Sequence, residues 1–570
     1  MKNKYWLILI IALAASLRLA GLSRGDTVND EVFYGFRAIG LMDFDEAGEQ
    51  TTPLEWFDPR QNFAPHNLGG QASIPWWTSL SFHDHPPLVF WIQHVFILFF
   101  GENNFALRFP SALLGIASVY LLYLIGAGLY SQRVGLAAAG IFAATLNHVY
   151  ISRTGMQESY VIFFILLASY FFLRSLEKEN YFILTGVAFG LGMLAKYNSF
   201  ILAPIFFTYL ALLRRDYFLN KKLWLGAFLS LVIFSPVIIY NIGLYRQVGH
   251  FDFQLSYIFK QRPDVWKVAP GKDIGTLKDR LEDFIPRLAN THSWLFLASF
   301  AFAAIAALKA FLSRGRTFLK ENFFLLLSFI FLFFLLLLIG PSYRFLTMLT
   351  PFMVLSAAIF FDYLYRIFYQ ILRQSAGWRR IWPAAFIFGA IILFEVFYSV
   401  NNQIIYYPLG SSPWLSSKAR YENYNWGYNA LGDFFSKEFE EKMPAMRFDV
   451  RYRFIEKIQE RSLALARQRG FEPYPAMIVT YGNFDRGAKL WILDRLHIYH
   501  GWPVINLDTY FDYLAKNGFD YYKQVGFKHY YFVLSSNIVP SGDFQALVQG
   551  VRPVSIFNPR GEEAFKIYKL

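Results

Sequence analysis

The chain has 570 residues, of which 55% are hydrophobic, 20% aromatic and only 17% charged, a composition too apolar for an ordinary water-soluble protein. Its formal net charge of +13 does not argue for nucleic acid, because excess Lys and Arg in a membrane protein gathers in cytoplasmic loops beside anionic lipid. The lack of cysteine excludes disulfides, thiolate metal sites and a cysteine nucleophile, while an oxidising compartment stays open.

At the N-terminus, Lys2 and Lys4 precede an apolar run from Tyr5 to Leu22 that is longer than a signal core and lacks a small-residue cleavage site. It is expected to remain as the first spanning helix. Further runs centre near Ile116, Ala143, Leu166, Val187, Phe206, Ile233, Phe302, Phe331, Val354 and Phe388, giving about eleven spans when each needs roughly 20 apolar residues. The stretch Tyr181 to Leu213 is too long for one straight helix, and Lys196-Tyr197-Asn198 interrupts it. It is read as two spans, because that keeps the basic loops around Arg133, Arg174, Arg214 to Lys222, Arg314 to Lys320 and Arg366 to Arg380 on one side. That side is cytoplasmic by the positive-inside rule, and so is the N-terminus.

The opposite side receives loops over residues 23–104 and 244–292 and everything after the last span. In the first loop, His85-Pro86-Pro87 starts an apolar stretch to Phe100, which is read as a helix lying at the interface. The expected organisation is a transmembrane domain over residues 1–400 and a soluble extracytoplasmic α/β domain over 401–570. In the latter, residues 477–481, 503–507 and 530–534 are predicted strands, and 488–496 and 509–517 predicted helices. No glycine-rich phosphate loop follows any of these strands.

The residues able to do chemistry collect on the outer side. Asp30 and Glu31 follow the first span, where partial burial and like charge can tune one carboxylate as a proton acceptor. An isolated Asp-Glu pair would be read as a solvated loop, so its context decides. In Phe82-His83-Asp84-His85-Pro86-Pro87-Leu88, two imidazoles and a carboxylate stand beside a rigid turn, able to orient a phosphate, hold a divalent metal or cap the following helix. A zinc site from His83, Asp84 and His85 is the weaker reading, since histidines one residue apart form no recognised ligand set alone. Glu158 opens the fourth span with Arg153 nearby, at a depth where a carboxylate is costly unless paired or functional. Lys196 and Arg344, the latter after Gly340-Pro341-Ser342-Tyr343, are cations on the side that membrane proteins deplete of them, suited to an anionic lipid headgroup.

These residues resemble the GT-C membrane glycosyltransferases, in particular the group of protein O-mannosyltransferases and the lipid A aminoarabinose transferase. The resemblance is carried by Asp30-Glu31, Asp84-His85-Pro86-Pro87-Leu88, Ala106-Leu107-Arg108-Phe109-Pro110-Ser111-Ala112-Leu113, the Arg153 to Glu158 segment, Gly190 to Lys196 and Tyr343-Arg344-Phe345. Many relatives have Asp at the position of Glu158, and His85 looks more like the mannosyltransferases than the aminoarabinose transferases, which carry Lys. The resemblance implies a polyprenyl-phosphate sugar donor and Asp30 as catalytic base. Glu31 and Glu158 are then positioning groups and His85, Arg153, Lys196, Tyr343 and Arg344 the donor-phosphate contacts, with Asp84 in support.

The expected reaction needs no cofactor, although a divalent metal stays open, and its acceptor is a lipid, glycan or protein. The alternatives are a metal-dependent oligosaccharyltransferase, whose Trp-Trp-Asp motif is poorly matched by Asn425-Trp426-Gly427-Tyr428, and a lipid transporter or flippase. Modest cytoplasmic loops and no ER-retrieval tail favour a bacterial inner (plasma) membrane.

Overall fold

The structure is a computed structural model that describes all residues except 1, 28–29, 45–50, 58–73, 268, 272, 374–381, 406–407, 420–425 and 447–452. Val28 and Asn29 beside the Asp-Glu pair, Arg379 and Arg380 of the last basic loop, and Asn425 lie outside the described residues. The chain divides into two compact units. The first comprises residues 1–23, 80–262 and 269–421, and the second residues 24–79, 263–268 and 422–570.

The first unit is helical, and all eleven predicted span centres fall inside helices. Several of its helices begin where a side chain takes up an orphan N–H group: Asn103 accepts from Ala106 N at 2.9 Å ahead of Asn104–Leu129, and Ser293 from Phe296 N at 3.0 Å ahead of Trp294–Arg314. Gly249, with φ of 79°, ends the helix Lys221–Val248 in the left-handed conformation that glycine adopts without strain. Large apolar side chains stay on the outside, with Phe207 62% and Leu312 76% exposed, as expected of a surface solvated by acyl chains.

Seven helices among the described residues are long and apolar enough to cross a bilayer, or eight if one bent pair counts as a span, fewer than the eleven expected. The difference has local causes. Lys2–Leu19 has 18 residues but includes Lys2, Lys4 and Arg18. Gln132–Ala144 and Leu146–Ser152 meet at a 63° bend. The run beginning at Tyr181 breaks at Lys196, as its sequence predicts, into Tyr181–Ala195, a short 3₁₀ turn Tyr197–Ile201 and Leu202–Leu213. The helix after His85-Pro86-Pro87 is Leu88–Phe100, whose 13 residues reach only about 20 Å at 1.5 Å each, short of a straight span.

Tyr181–Ala195 packs on Lys221–Val248 through backbone contact. A Cβ on Gly186 would lie 1.9 Å from the Gly226 carbonyl oxygen, so only glycine permits this crossing. Gly186→Leu is expected to destabilise the protein by at least about 1–3 kcal/mol, since backbone must move to admit it. Gly128→Leu, where a Cβ meets nothing within 4 Å, is the control. Thermal unfolding in detergent should show a lower midpoint for the first substitution and an unchanged one for the second.

The second unit is built on a sheet of order β4-β3-β5-β7-β6, with a separate parallel pair of β1 (Lys442–Pro444) and β2 (Glu472–Tyr474). In the main sheet β3 (Ala476–Tyr481) runs parallel to β4 (Val504–Asn506) and β5 (His529–Ser535). Strand β7 (Glu563–Lys569) is antiparallel to β5, and β6 (Val554–Phe557) to β7. All five C-terminal elements expected from the sequence are present. Register places Val479 opposite Phe532 and Tyr481 opposite Leu534, and Met477, Val479, Phe532 and Leu534 form one apolar face under the helix Leu507–Asn517.

Residues 24–79, most of the first long loop between apolar runs, belong to this second unit. The helix Asp30–Gly40 holds it through Phe36, whose ring lies 5.0 Å from that of Tyr499 and whose carbonyl accepts the Tyr499 hydroxyl at 2.7 Å. The Asp26 carboxylate accepts backbone N–H groups from Trp426, Gly427 and Asn429 at 2.5, 3.1 and 2.8 Å, just where the helix Tyr428–Glu438 begins.

Candidate active site

In the first unit, three of the predicted residues converge. Glu158 is the first residue of the helix Glu158–Ser175 and is fully buried; Lys196, at the break in the Tyr181 run, donates from Nζ to its Oε1 at 2.7 Å. The chain break frees Lys196 from a helical backbone and turns it inward, where its side chain is only 11% exposed. Phe345 gathers two cations: Lys196 Nζ lies 4.9 Å and Arg344 Cζ 5.7 Å from its ring centre. Arg344 also reaches Met156 Sδ at 3.7 Å and acts on the charge of Glu158. An ammonium has three donors, so Lys196 keeps hydrogen-bonding capacity beyond the one spent on Glu158.

A second cluster forms around the His-Asp-His turn. The Asp84 carboxylate lies 3.0 Å from His85 Nδ1 and 3.8 Å from the Nδ1 of fully buried His83. The His83 carbonyl accepts the N–H of Phe253 at 2.7 Å, which brings in Asp252. This residue was invisible in the sequence reading. Its Oδ2 accepts the Tyr197 hydroxyl at 2.5 Å and the Asn241 amide at 2.9 Å, and its Oδ1 caps the following helix through Leu255 N at 2.8 Å. Burial pushes the Asp252 carboxyl up, the three hydrogen bonds oppose this, and the nearby Asp84 charge reinforces it. The available signal was Asp252-Phe253 shortly after the span ending at Val248, but a lone Asp in a long loop resembles any solvated side chain. Among the described residues, no group of three or more His, Asp or Glu side chains is arranged to hold a metal ion.

Arg153 is placed differently from a simple partner for Glu158. Its guanidinium donates to the carbonyls of Leu17, Arg18 and Gly21 at 3.0, 3.2 and 3.4 Å, at the end of the first helix. The Ala106 to Leu113 motif packs against two other segments: the Ser159 hydroxyl, next to Glu158, donates to the Ser111 carbonyl at 2.8 Å, and Arg108 donates to the Leu22 carbonyl at 3.1 Å just past the first helix. Tyr343 is half-buried beside Arg344.

Asp30 and Glu31 are in the second unit, as the first two residues of Asp30–Gly40, where the helix dipole favours negative charge. Consecutive helical residues point in different directions, and the pair separates accordingly. Glu31 is fully buried, while Asp30 is half-buried and accepts the Tyr34 hydroxyl at 3.3 Å. Of the two carboxylates, Asp30 is the more exposed.

This is a multi-pass membrane protein with the fold of the GT-C membrane glycosyltransferases, the class its motifs resemble. Residues 84–240, which hold Asp84, His85, Glu158 and Lys196, match the family described as dolichyl-phosphate-mannose-protein mannosyltransferase. Among curated proteins, YycA of Bacillus subtilis (strain 168), which carries the name of a mannosyltransferase, is 37% identical over 95 residues, or 17% of this chain and 14% of that protein. Among solved structures, apo ArnT from Cupriavidus metallidurans aligns over 100% of this chain and 98% of its own, with a TM-score of 0.53 and 15% identity. The same protein bound to undecaprenyl phosphate gives a TM-score of 0.51 at 15% identity over 99% of this chain and 98% of its own. The apo oligosaccharyltransferase of Archaeoglobus fulgidus gives 0.51 at 16% identity, covering 99% of this chain and 74% of that one.

Proposed function

We propose that this protein transfers a sugar from a polyprenyl-phosphate carrier to a lipid, glycan or protein acceptor on the extracytoplasmic face of a cell membrane. The observation that carries the reading is the buried Glu158–Lys196 pair with Arg344 on the same aromatic ring, at the ends of apolar helices where a lipid-linked phosphate would present its charge. The matched family's name and the undecaprenyl phosphate bound to a protein of this fold support a lipid-phosphate donor.

In the proposed reaction, the Asp30 carboxylate takes the proton from an acceptor hydroxyl as its oxygen bonds to the anomeric carbon. The bond from that carbon to the phosphate oxygen breaks on the opposite face, and the carrier leaves as polyprenyl phosphate with the electron pair. Lys196 and Arg344, with His85, Arg153 and Tyr343 as further contacts, stabilise the charge that grows on the leaving phosphate. Glu158 holds the Lys196 ammonium in place, and Glu31 and Asp84 position the carboxylate and imidazole beside them. The distribution of Lys and Arg supports an orientation with the N-terminus cytoplasmic and residues 401–570 outside, and the membrane proposed is a bacterial inner membrane.

The rival within the same fold is an oligosaccharyltransferase using a diphosphate carrier and a metal. Purified protein offered sugars on polyprenyl monophosphate and on polyprenyl diphosphate, with and without EDTA, separates the two. Consumption of a monophosphate donor at a rate unaffected by chelation is expected. Turnover confined to diphosphate-linked glycans and lost with EDTA would replace this reading by its rival.

A further inference from the structure

The second unit contains a pocket lined by none of the residues assigned to the proposed transfer. Its place follows from strand order. The chain leaves β3 toward β4 on one side and leaves β5 toward β6 and β7 on the other, so the two adjacent parallel strands have exits that diverge. A crevice at the carboxyl ends of such a pair is where open α/β sheets bind ligands. A pocket of about 430 Å³ occupies this position, within the ~300–1,000 Å³ typical of small-molecule sites.

Its walls come from the loops at these strand ends. Asn483 and Asp485 follow β3, and Ser535, Ser536 and Asn537 end and follow β5. Glu563 and Phe565 enter from β7, and Trp426 and Tyr428 close the apolar side. Close approach is built in: at Gly482, with φ of 118°, a Cβ would lie 2.9 Å from that of Ser535, and at Gly427, with φ of 106°, a Cβ would lie 2.7 Å from that of Ala564. The frame is fixed by hydrogen bonds, from Asp485 N to the Tyr428 hydroxyl at 2.6 Å and from the Ser535 hydroxyl to Asn537 Oδ1 at 2.6 Å. Among the described residues the Asn483 amide and the Ser536 hydroxyl make no hydrogen bond, so both are available to a ligand.

The lining selects a chemical class. Its polar groups are amides, hydroxyls and two carboxylates, with no Lys, Arg or His, which disfavours phosphate, nucleotide and acidic ligands. Half-buried Trp426 beside Tyr428 and Phe565 offers apolar ring surface opposite these donors and acceptors. A ligand with one face of C–H groups and a rim of hydroxyls satisfies both walls. We infer that this pocket binds a neutral saccharide. The inference goes beyond the transfer reading, because binding here needs neither donor nor turnover.

The test is a titration of the full-length protein in phospholipid nanodiscs, which avoid sugar-headed detergents. The probes are methyl α-D-mannopyranoside, methyl β-D-galactopyranoside, N-acetylglucosamine and their disaccharides, with glucuronate as the anionic control. Saturable binding of at least one neutral probe near about 1 mM is expected for a ligand of this size, and weaker binding of glucuronate. Asn483→Ala should weaken that binding by about fivefold through loss of a neutral hydrogen bond, and Ser536→Tyr should abolish it by filling the space. Both positions are exposed, so the fold should survive, and an unchanged unfolding midpoint verifies this. Absence of saturation by every neutral probe, tighter binding of glucuronate, or binding that both substitutions leave unaltered would overturn the assignment.

Discussion

Replacing Lys196 by alanine is expected to destabilise the protein and to stop transfer. The side chain of Glu158 is 1% exposed and relies on an ammonium 2.7 Å away for its charge. Deleting one partner of a buried ion pair costs about 3–5 kcal/mol, because the surviving charge has lost its hydrogen-bonded counter-ion and gains no water in its place. The thermal midpoint should therefore fall, and donor turnover with it. A purely structural pair would do the same, so the double variant Lys196→Ala with Glu158→Gln decides between roles. The neutral amide removes the stranded charge, and the midpoint should recover most of its loss. Turnover should not recover, because the cation proposed to face the leaving phosphate is still missing. Recovery of both stability and turnover in the double variant would make Lys196 a structural residue.

Asp30→Asn is expected to leave the fold intact and lower turnover by about 10² to 10⁴, equivalent to about 3 to 5 kcal/mol of barrier. The amide keeps the size of the carboxylate and can still accept the Tyr34 hydroxyl, but cannot take a proton. Steady-state kinetics should show the loss in kcat with the KM for donor little changed, since Asp30 is proposed to act on the acceptor. Glu31→Gln is a useful contrast: this side chain is buried, so its replacement should affect stability as well as rate. Near-normal kcat in Asp30→Asn would move the base elsewhere.

Much of this was legible in the sequence for simple reasons. Long apolar runs can only be buried or membrane-embedded, so every span centre fell inside a helix. Alternating short strands and helices after residue 470 showed the α/β character of the C-terminal region, because parallel strands need crossovers. Lys196 stood out because a cation interrupting two apolar half-lengths must be solvated by something, and Glu158 proved to be that partner. Span count was less legible, since hydropathy does not register a 63° bend or a chain break that shortens a helix. The short strands β1, β2 and β6 and the closing strand β7 were missed, as few residues carry the alternation in each. Arg153 looked like a partner for Glu158 by proximity along the chain, yet its guanidinium caps the first helix, a contact more than 130 residues away in sequence. Asp252, Tyr197 and Asn241 became a cluster only through folding, because their identities alone carry no spacing signal.

The central claim is transfer from a polyprenyl-phosphate sugar. The most direct measurement is release of polyprenyl phosphate by the purified protein from a panel of polyprenyl-phosphate sugars, with candidate acceptors present, alongside Asp30→Asn. Acceptor-dependent release from one donor, lost in the variant, is the predicted result and names the sugar. Failure of every monophosphate donor in the panel to turn over, with the protein folded, would contradict the claim.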